Sequence, residues 1–134
     1  MQNILNDLIV YRSNIQSMHW KMKGPGFLAI HRLTDKMYSQ IDEFIDLIAE
    51  KFIQRHLEVE TTLANAIANS SLKETKGMTI PIDKCIEDLV SQATIILEKA
   101  EKEELPKELG AMYVIVDELR DYLEKTIWLL EKSI

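Results

Sequence analysis

The chain has 134 residues, of which 46 % are hydrophobic, enough for the continuous core of one domain, residues 1–134, built from three or four long helices. It carries a formal charge of −6 spread along its length, and a surface of that sign repels nucleic acid unless a basic patch intervenes. No run of 18 apolar residues offers a membrane span, no basic-then-apolar start suggests a secretory signal, and a lone Cys85 excludes an intrachain disulfide.

Cys85 reads as a free buried thiol, in keeping with a reducing cytoplasm. The densest basic stretch, Lys21 to Lys23, holds only two lysines. The acidic runs at Asp42–Glu43, Glu58, Glu60 and Glu101 to Glu104 read as solvated helix faces.

In chain order, Ile4, Leu5, Leu8, Ile15 and Met18 mark the apolar side of a first helix predicted from about Asn3 to Met22. Lys23-Gly24-Pro25-Gly26 stops it. Ile30, Leu33, Met37, Ile41, Phe44 and Ile48 then recur at three- and four-residue steps, predicting a second helix from Phe27 to His56 whose length suggests a bundle. A short helix around Glu60 to Ala68 and a polar loop at Asn69 to Lys76 supply a crossover. Ile86, Leu89, Val90, Ala93 and Leu97 mark a third long helix over Ile82 to Glu103. Pro106 is placed near the start of a fourth, with Leu109, Met112, Val116, Leu119, Leu123 and Leu130 inward. Val114, Ile115, Tyr122, Trp128 and Leu129 leave that helix apolar around much of its circumference, which predicts burial against another subunit.

The second helix also carries the chain's densest set of metal-capable side chains. His31 and Asp35, then Asp46 and Glu50, form two i,i+4 pairs, with His19 twelve residues upstream across the Gly-Pro turn. Imidazole with carboxylate is a ligand set suited to iron. Asp35 and Asp46 share a face but stand about 16 Å apart along the axis, so one centre cannot use both from one helix. Two copies packed antiparallel about a two-fold axis would bring His31 and Asp35 of one to Asp46 and Glu50 of the other, twice. At about 100° per residue the stripe of His31, Asp35, Asp42, Asp46 and Glu50 lies broadly opposite the apolar side, pointing away from the chain's own core. The turn at Gly24-Pro25-Gly26 brings His19 toward His31. The bland alternative is a solvated acidic face with incidental histidines, and His56 reads as a surface residue.

The run "HWKMKGPGFLAIH" at 19–31, with Asp35 and "DLIAE" at 46–50, resembles the iron-binding signature of the Dps family, the miniature ferritins or DNA-binding proteins from starved cells. The likeness extends over essentially the whole chain, and the ending "LRDYLEKTIWLLEKSI" is similar to the family's last helix. It implies an all-α, ferritin-like four-helix bundle with a short helix in the crossover between the second and third long helices. It further implies a hollow homododecamer of two-fold dimers that oxidises Fe(II), preferentially with hydrogen peroxide, and stores Fe(III) mineral without an organic cofactor. By the same resemblance His19, His31 and Asp35 of one subunit and Asp46 and Glu50 of its mate form the ferroxidase centre, catalytic and metal-binding at once. Trp20 matches a tryptophan near that centre; it reads as a packing residue, with interception of an oxidising equivalent as the functional alternative, and Tyr38 is a weaker candidate for the same role.

Three features depart from the family pattern. Family members often carry a basic tail for DNA, whereas this chain begins its first helix within a few residues of Met1 and ends just after Lys132; twelve subunits of −6 give −72, so DNA binding is not expected. Where the family places aspartates lining a pore, this chain has Ala111 and Val114, leaving Glu103, Glu104, Glu108 or Asp117, or another opening, to admit iron. The stretch from Gln54 to Glu60 lacks a Gly-rich turn, which allows the second helix to continue past His56. The rival functions are a helical shell with vestigial metal sites and a DNA-compacting protein.

Overall fold

A computed structural model describes all 134 residues. Four long helices form the bundle: α1 (Gln2–Lys21), α2 (Phe27–Gln54), and, after a crossover containing the short α3 (Leu63–Asn69), α4 (Ile82–Lys102) and α5 (Met112–Glu131). The expected all-α bundle with a helix in its crossover is therefore present. No helix is long and apolar enough to cross a membrane.

The packing follows from helical periodicity. Ile30, Thr34, Met37, Ile41, Phe44, Ile48 and Phe52 of α2 are buried, mostly at alternating four- and three-residue steps, the spacing that keeps a stripe against neighbouring helices of a bundle. Thr34 is fully buried in this stripe, while Leu33, expected inward, is only half-buried. In α4 the inward set includes Cys85, Ile86, Leu89, Ala93, Ile96 and Ala100, with Val90 and Leu97 half-buried.

In α1 burial is continuous from Ile4 to Tyr11, because the crossover covers its outer face. Polar residues fasten that cover. Asp7, fully buried, accepts from the Ser70 hydroxyl at 2.8 Å and the Ser71 N–H at 2.9 Å and pairs with Lys99 of α4. Asn6 accepts from Asn65, and Asn14 donates to Lys73 O and accepts from the Thr75 N–H. Asn6, Asp7 and Asn14 are thus each hydrogen-bonded, which offsets their desolvation.

Two boundaries and one added element differ from expectation. Helix α2 ends at Gln54, neither at His56 nor beyond it: His56 takes φ +58°, its N–H donates to Ile53 O, and the Leu57 N–H donates to Phe52 O, both at 3.0 Å. That pair of bonds is a Schellman cap, with histidine in the left-handed position usually held by glycine. Pro106 opens a 3-10 turn, Lys107–Leu109, and α5 starts only at Met112. A pair of two-residue parallel strands, β1 (Met22–Lys23) and β2 (Ile80–Pro81), had no sequence signal; it ties the turn after α1 to the start of α4.

On α5, Leu109, Met112, Val116, Leu119, Leu123 and Leu130 are buried with their 3-10 turn and helix, and Ile115 joins them. Val114 and Trp128 are 63 % and 56 % exposed, so the oily outer face is real and no part of this chain covers it.

Candidate metal centre

The two histidines meet where α1 ends and α2 begins. Helix α1 stops at Lys21; Gly24 and Gly26, with φ of +137° and +84°, then reverse the chain through a backbone region disfavoured for residues with a Cβ. The reversal lays His31, in the second turn of α2, against His19 in the last turn of α1. Their rings stack at 3.7 Å with 13° between planes, and Phe27 stacks on His31 at 4.9 Å.

Each ring is held through Nδ1. The last carbonyls of a helix have no partner within it. One of these, His19 O, lies 2.9 Å from His31 Nδ1. A carbonyl only accepts, so His31 carries its proton on Nδ1 and leaves the Nε2 lone pair free. His19 Nδ1 lies 2.9 Å from Thr34 Oγ1. Both rings are half-buried. The sequence placed His31 on the outward stripe of α2; the end of α1 folds over it and covers it in part.

The carboxylates are differently placed. Asp35, Asp46 and Glu50 are exposed and enter no ion pair or hydrogen bond within the chain. Asp46 lines a groove of about 370 Å³ between α1 and α2, with Leu5, Ile9, Arg12, Asp42 and Ile45. Arg12, the cation of that groove, is held by Asp42 at 2.6 Å, leaving Asp46 free. Glu50 lines the neighbouring hollow with Ala49, Ile53 and Val59. On a helix rising about 1.5 Å per residue, Asp46 and Glu50 stand roughly 22 and 28 Å along α2 from His31.

No three His, Cys, Asp or Glu side chains of one chain converge as a metal-holding group. The five candidates therefore divide into a histidine corner, with Asp35 one turn beyond His31, and a distant pair of carboxylates. Within each part the donors are those iron accepts: free imidazole nitrogens in one, unpartnered carboxylates in the other. Cys85 is no candidate, because burial pushes its thiol up to about 11 and keeps it protonated.

Among the outlying residues, Trp20 is 66 % exposed beside His19, so packing within the chain does not explain it. Tyr38 is half-buried, and His56 is exposed at the end of α2, as expected of a surface residue. The sequence reading missed Thr34; its signal is a hydroxyl inside the four-and-three apolar stripe of α2.

A four-helix bundle with its metal-capable side chains on the second long helix defines a class, and comparison with known proteins identifies it. The ferritin family model, a ferritin-like domain, matches residues 1–132. The DNA protection during starvation protein of Helicobacter pylori is 27 % identical over 134 residues, covering 98 % of this chain and 93 % of its own. That of Brevibacillus brevis is 24 % identical over 136 residues, covering 97 % and 88 %. Among solved structures, Dps from Listeria monocytogenes superposes with a TM-score of 0.87 at 24 % identity, over 98 % of this chain and 90 % of that one. Dps from Staphylococcus aureus gives 0.88 at 18 % identity, over 98 % and 90 %. The chain belongs to the ferritin-like proteins and, among them, to the Dps, or DNA-protection-during-starvation, family.

Proposed function

We propose that this protein is a ferroxidase that oxidises Fe(II), preferentially with hydrogen peroxide, and retains the ferric product as mineral inside a hollow homododecamer of two-fold dimers. The observation that carries the reading is the division of donors along α2: two imidazoles with restrained rings at one end and two unpartnered carboxylates more than 20 Å away by helical rise. An antiparallel two-fold pairing of α2 helices completes both halves at once. His19, His31 and Asp35 of one subunit then face Asp46 and Glu50 of the other, and symmetry makes the centre twice.

The chemistry suits these donors. Carboxylates bind Fe(II) and favour the harder ferric product, while two imidazoles and few strong ligands leave positions for an oxidant. Asp35 and Glu50 serve as primary ligands, Asp46 as ligand or water-mediated bridge, and the histidines as ligands or water-mediated partners. Two Fe(II) give one electron each; hydrogen peroxide takes both with two protons and leaves as two waters. No organic cofactor is needed. The Dps of Vibrio cholerae, which superposes on this chain with a TM-score of 0.88 at 22 % identity, is a member of a broad superfamily of ferritin-like diiron-carboxylate proteins, in keeping with this reading.

Exposed Val114 and Trp128 supply apolar surface for subunit contacts, and a free buried Cys85 suits the reducing cytoplasm. With −6 per subunit, protection of DNA proceeds by removing iron and peroxide, without DNA contact. The test is anaerobic Fe(II) loading and stepwise addition of hydrogen peroxide, followed by gel filtration and metal analysis. Iron co-eluting with an intact particle, in large excess over about twelve centres, is expected. Oxidation no faster than in buffer, or a particle that elutes without iron, overturns the reading. Binding of duplex DNA at low and moderate salt would favour the compaction alternative instead.

A further inference from the structure

Thr34 is fully buried, yet its hydroxyl is fully engaged. Oγ1 lies 2.9 Å from Ile30 O and 3.0 Å from His31 O, both of which only accept, so the single hydroxyl proton goes to these carbonyls of its own helix. The remaining lone pairs of Oγ1 face His19 Nδ1 at 2.9 Å. With its proton directed to those carbonyls the hydroxyl accepts from the ring, and Nδ1 of His19 carries the ring proton in this arrangement.

We infer that Thr34 is a positioning residue for the candidate metal centre: as acceptor it holds His19 in the Nδ1–H tautomer, leaving Nε2 as the free donor atom. A backbone carbonyl does the same for His31, so the two stacked rings present the same nitrogen through unrelated devices. A threonine bonded back to its own helix would be unremarked on a surface. Here it replaces an aliphatic side chain in the core stripe and reaches across to α1. Without that acceptor the His19 proton is free to sit on Nε2, where it blocks the lone pair, and the ring loses its tether.

The inference rests on the two-subunit centre proposed above, and Co(II) binding separates the two. Calorimetry and the visible absorption of bound Co(II) are measured on assembled wild type, Thr34→Val, Thr34→Ser, His19→Ala, the Thr34→Val/His19→Ala double variant and Glu50→Ala. Outer-sphere partners of a ligating histidine are typically worth about 10- to 100-fold in metal affinity. Thr34→Val, an isostere without the hydroxyl, is expected to lose about tenfold, Thr34→Ser to bind like wild type, and Thr34→Val to cost nothing further once His19 is absent. Equal binding by Thr34→Val and wild type overturns the role of Thr34 while His19→Ala and Glu50→Ala still weaken binding. A Thr34→Val loss that persists in the His19→Ala background also overturns it, since the effect then runs through packing. Wild-type binding by both His19→Ala and Glu50→Ala overturns the centre itself, and the role of Thr34 with it. If Thr34→Val fails to assemble, Thr34→Ala takes its place in the same cycle, with the same outcomes.

Discussion

The two ends of α2 carry the same kind of chemistry in opposite states. At the N-terminal end His31 is stacked, hydrogen-bonded and half-buried against His19, so its ring is oriented by one chain alone. At the C-terminal end Asp46 and Glu50 are exposed, unpartnered and near shallow hollows. A bundle restrains a neutral imidazole cheaply, because its ring stacks and its N–H finds a carbonyl. Two uncompensated carboxylates buried in the same chain would be costly, so this chain leaves them in water, and on the proposed reading a cation and a second subunit complete them. Preorganisation therefore belongs to the fold, and in the proposed centre completion belongs to the assembly.

The hardest test of this contrast is to remove the exposed half. Asp46→Ala with Glu50→Ala should cost more in Fe(II) oxidation than the roughly 10- to 100-fold usual for an outer-sphere partner, while gel filtration shows an unchanged particle. Normal oxidation kinetics in that variant would sink the proposed centre.

Mixing sharpens the comparison. If each centre draws on two subunits, His31→Ala chains co-assembled with Asp46→Ala/Glu50→Ala chains regain one intact centre in every mixed dimer. Random pairing then returns about a quarter of wild-type oxidation, although each parent is inactive. A centre confined to one chain would regain nothing, because every chain carries a lesion.

A smaller effect concerns the frame that holds α1 beside the crossover and α4. Lys99→Met keeps much of the side-chain volume but leaves the buried Asp7 carboxylate with only its serine partners. Because Lys99 is partly exposed, a loss of about 1–3 kcal/mol is expected, read from urea unfolding. The smallest effect is at the cap of α2. His56→Gly relieves the left-handed strain but loosens the unfolded chain, for a net gain of no more than about 0.5 kcal/mol and unchanged oxidation. A large loss of helix on that substitution would show that the imidazole, and not the backbone angle, ends α2.

Much of this arrangement is legible without coordinates. The three- and four-residue steps of Ile30, Leu33, Met37, Ile41, Phe44 and Ile48 give α2 and its inward side, although Leu33 is only half-buried, and the two i,i+4 pairs give the stripe of candidate ligands. The Gly24-Pro25-Gly26 reversal points His19 toward His31. Other features escaped because they depend on residues distant in sequence. Ile9 and Val10 are buried where the crossover lies over α1, beside Leu63, Ile67 and Leu72. Thr34, and not Leu33, lies fully buried in the core stripe, where its hydroxyl meets His19 of α1.

By itself the sequence determined the elements and the inventory of donors, since helical periodicity, chain reversal and ligand chemistry are local properties. Only the tertiary structure decided how those donors are held. A ring tautomer, a left-handed histidine cap and a strand pair joining residues 22–23 to 80–81 each depend on which carbonyl or hydroxyl lies within about 3 Å, and packing fixes that distance.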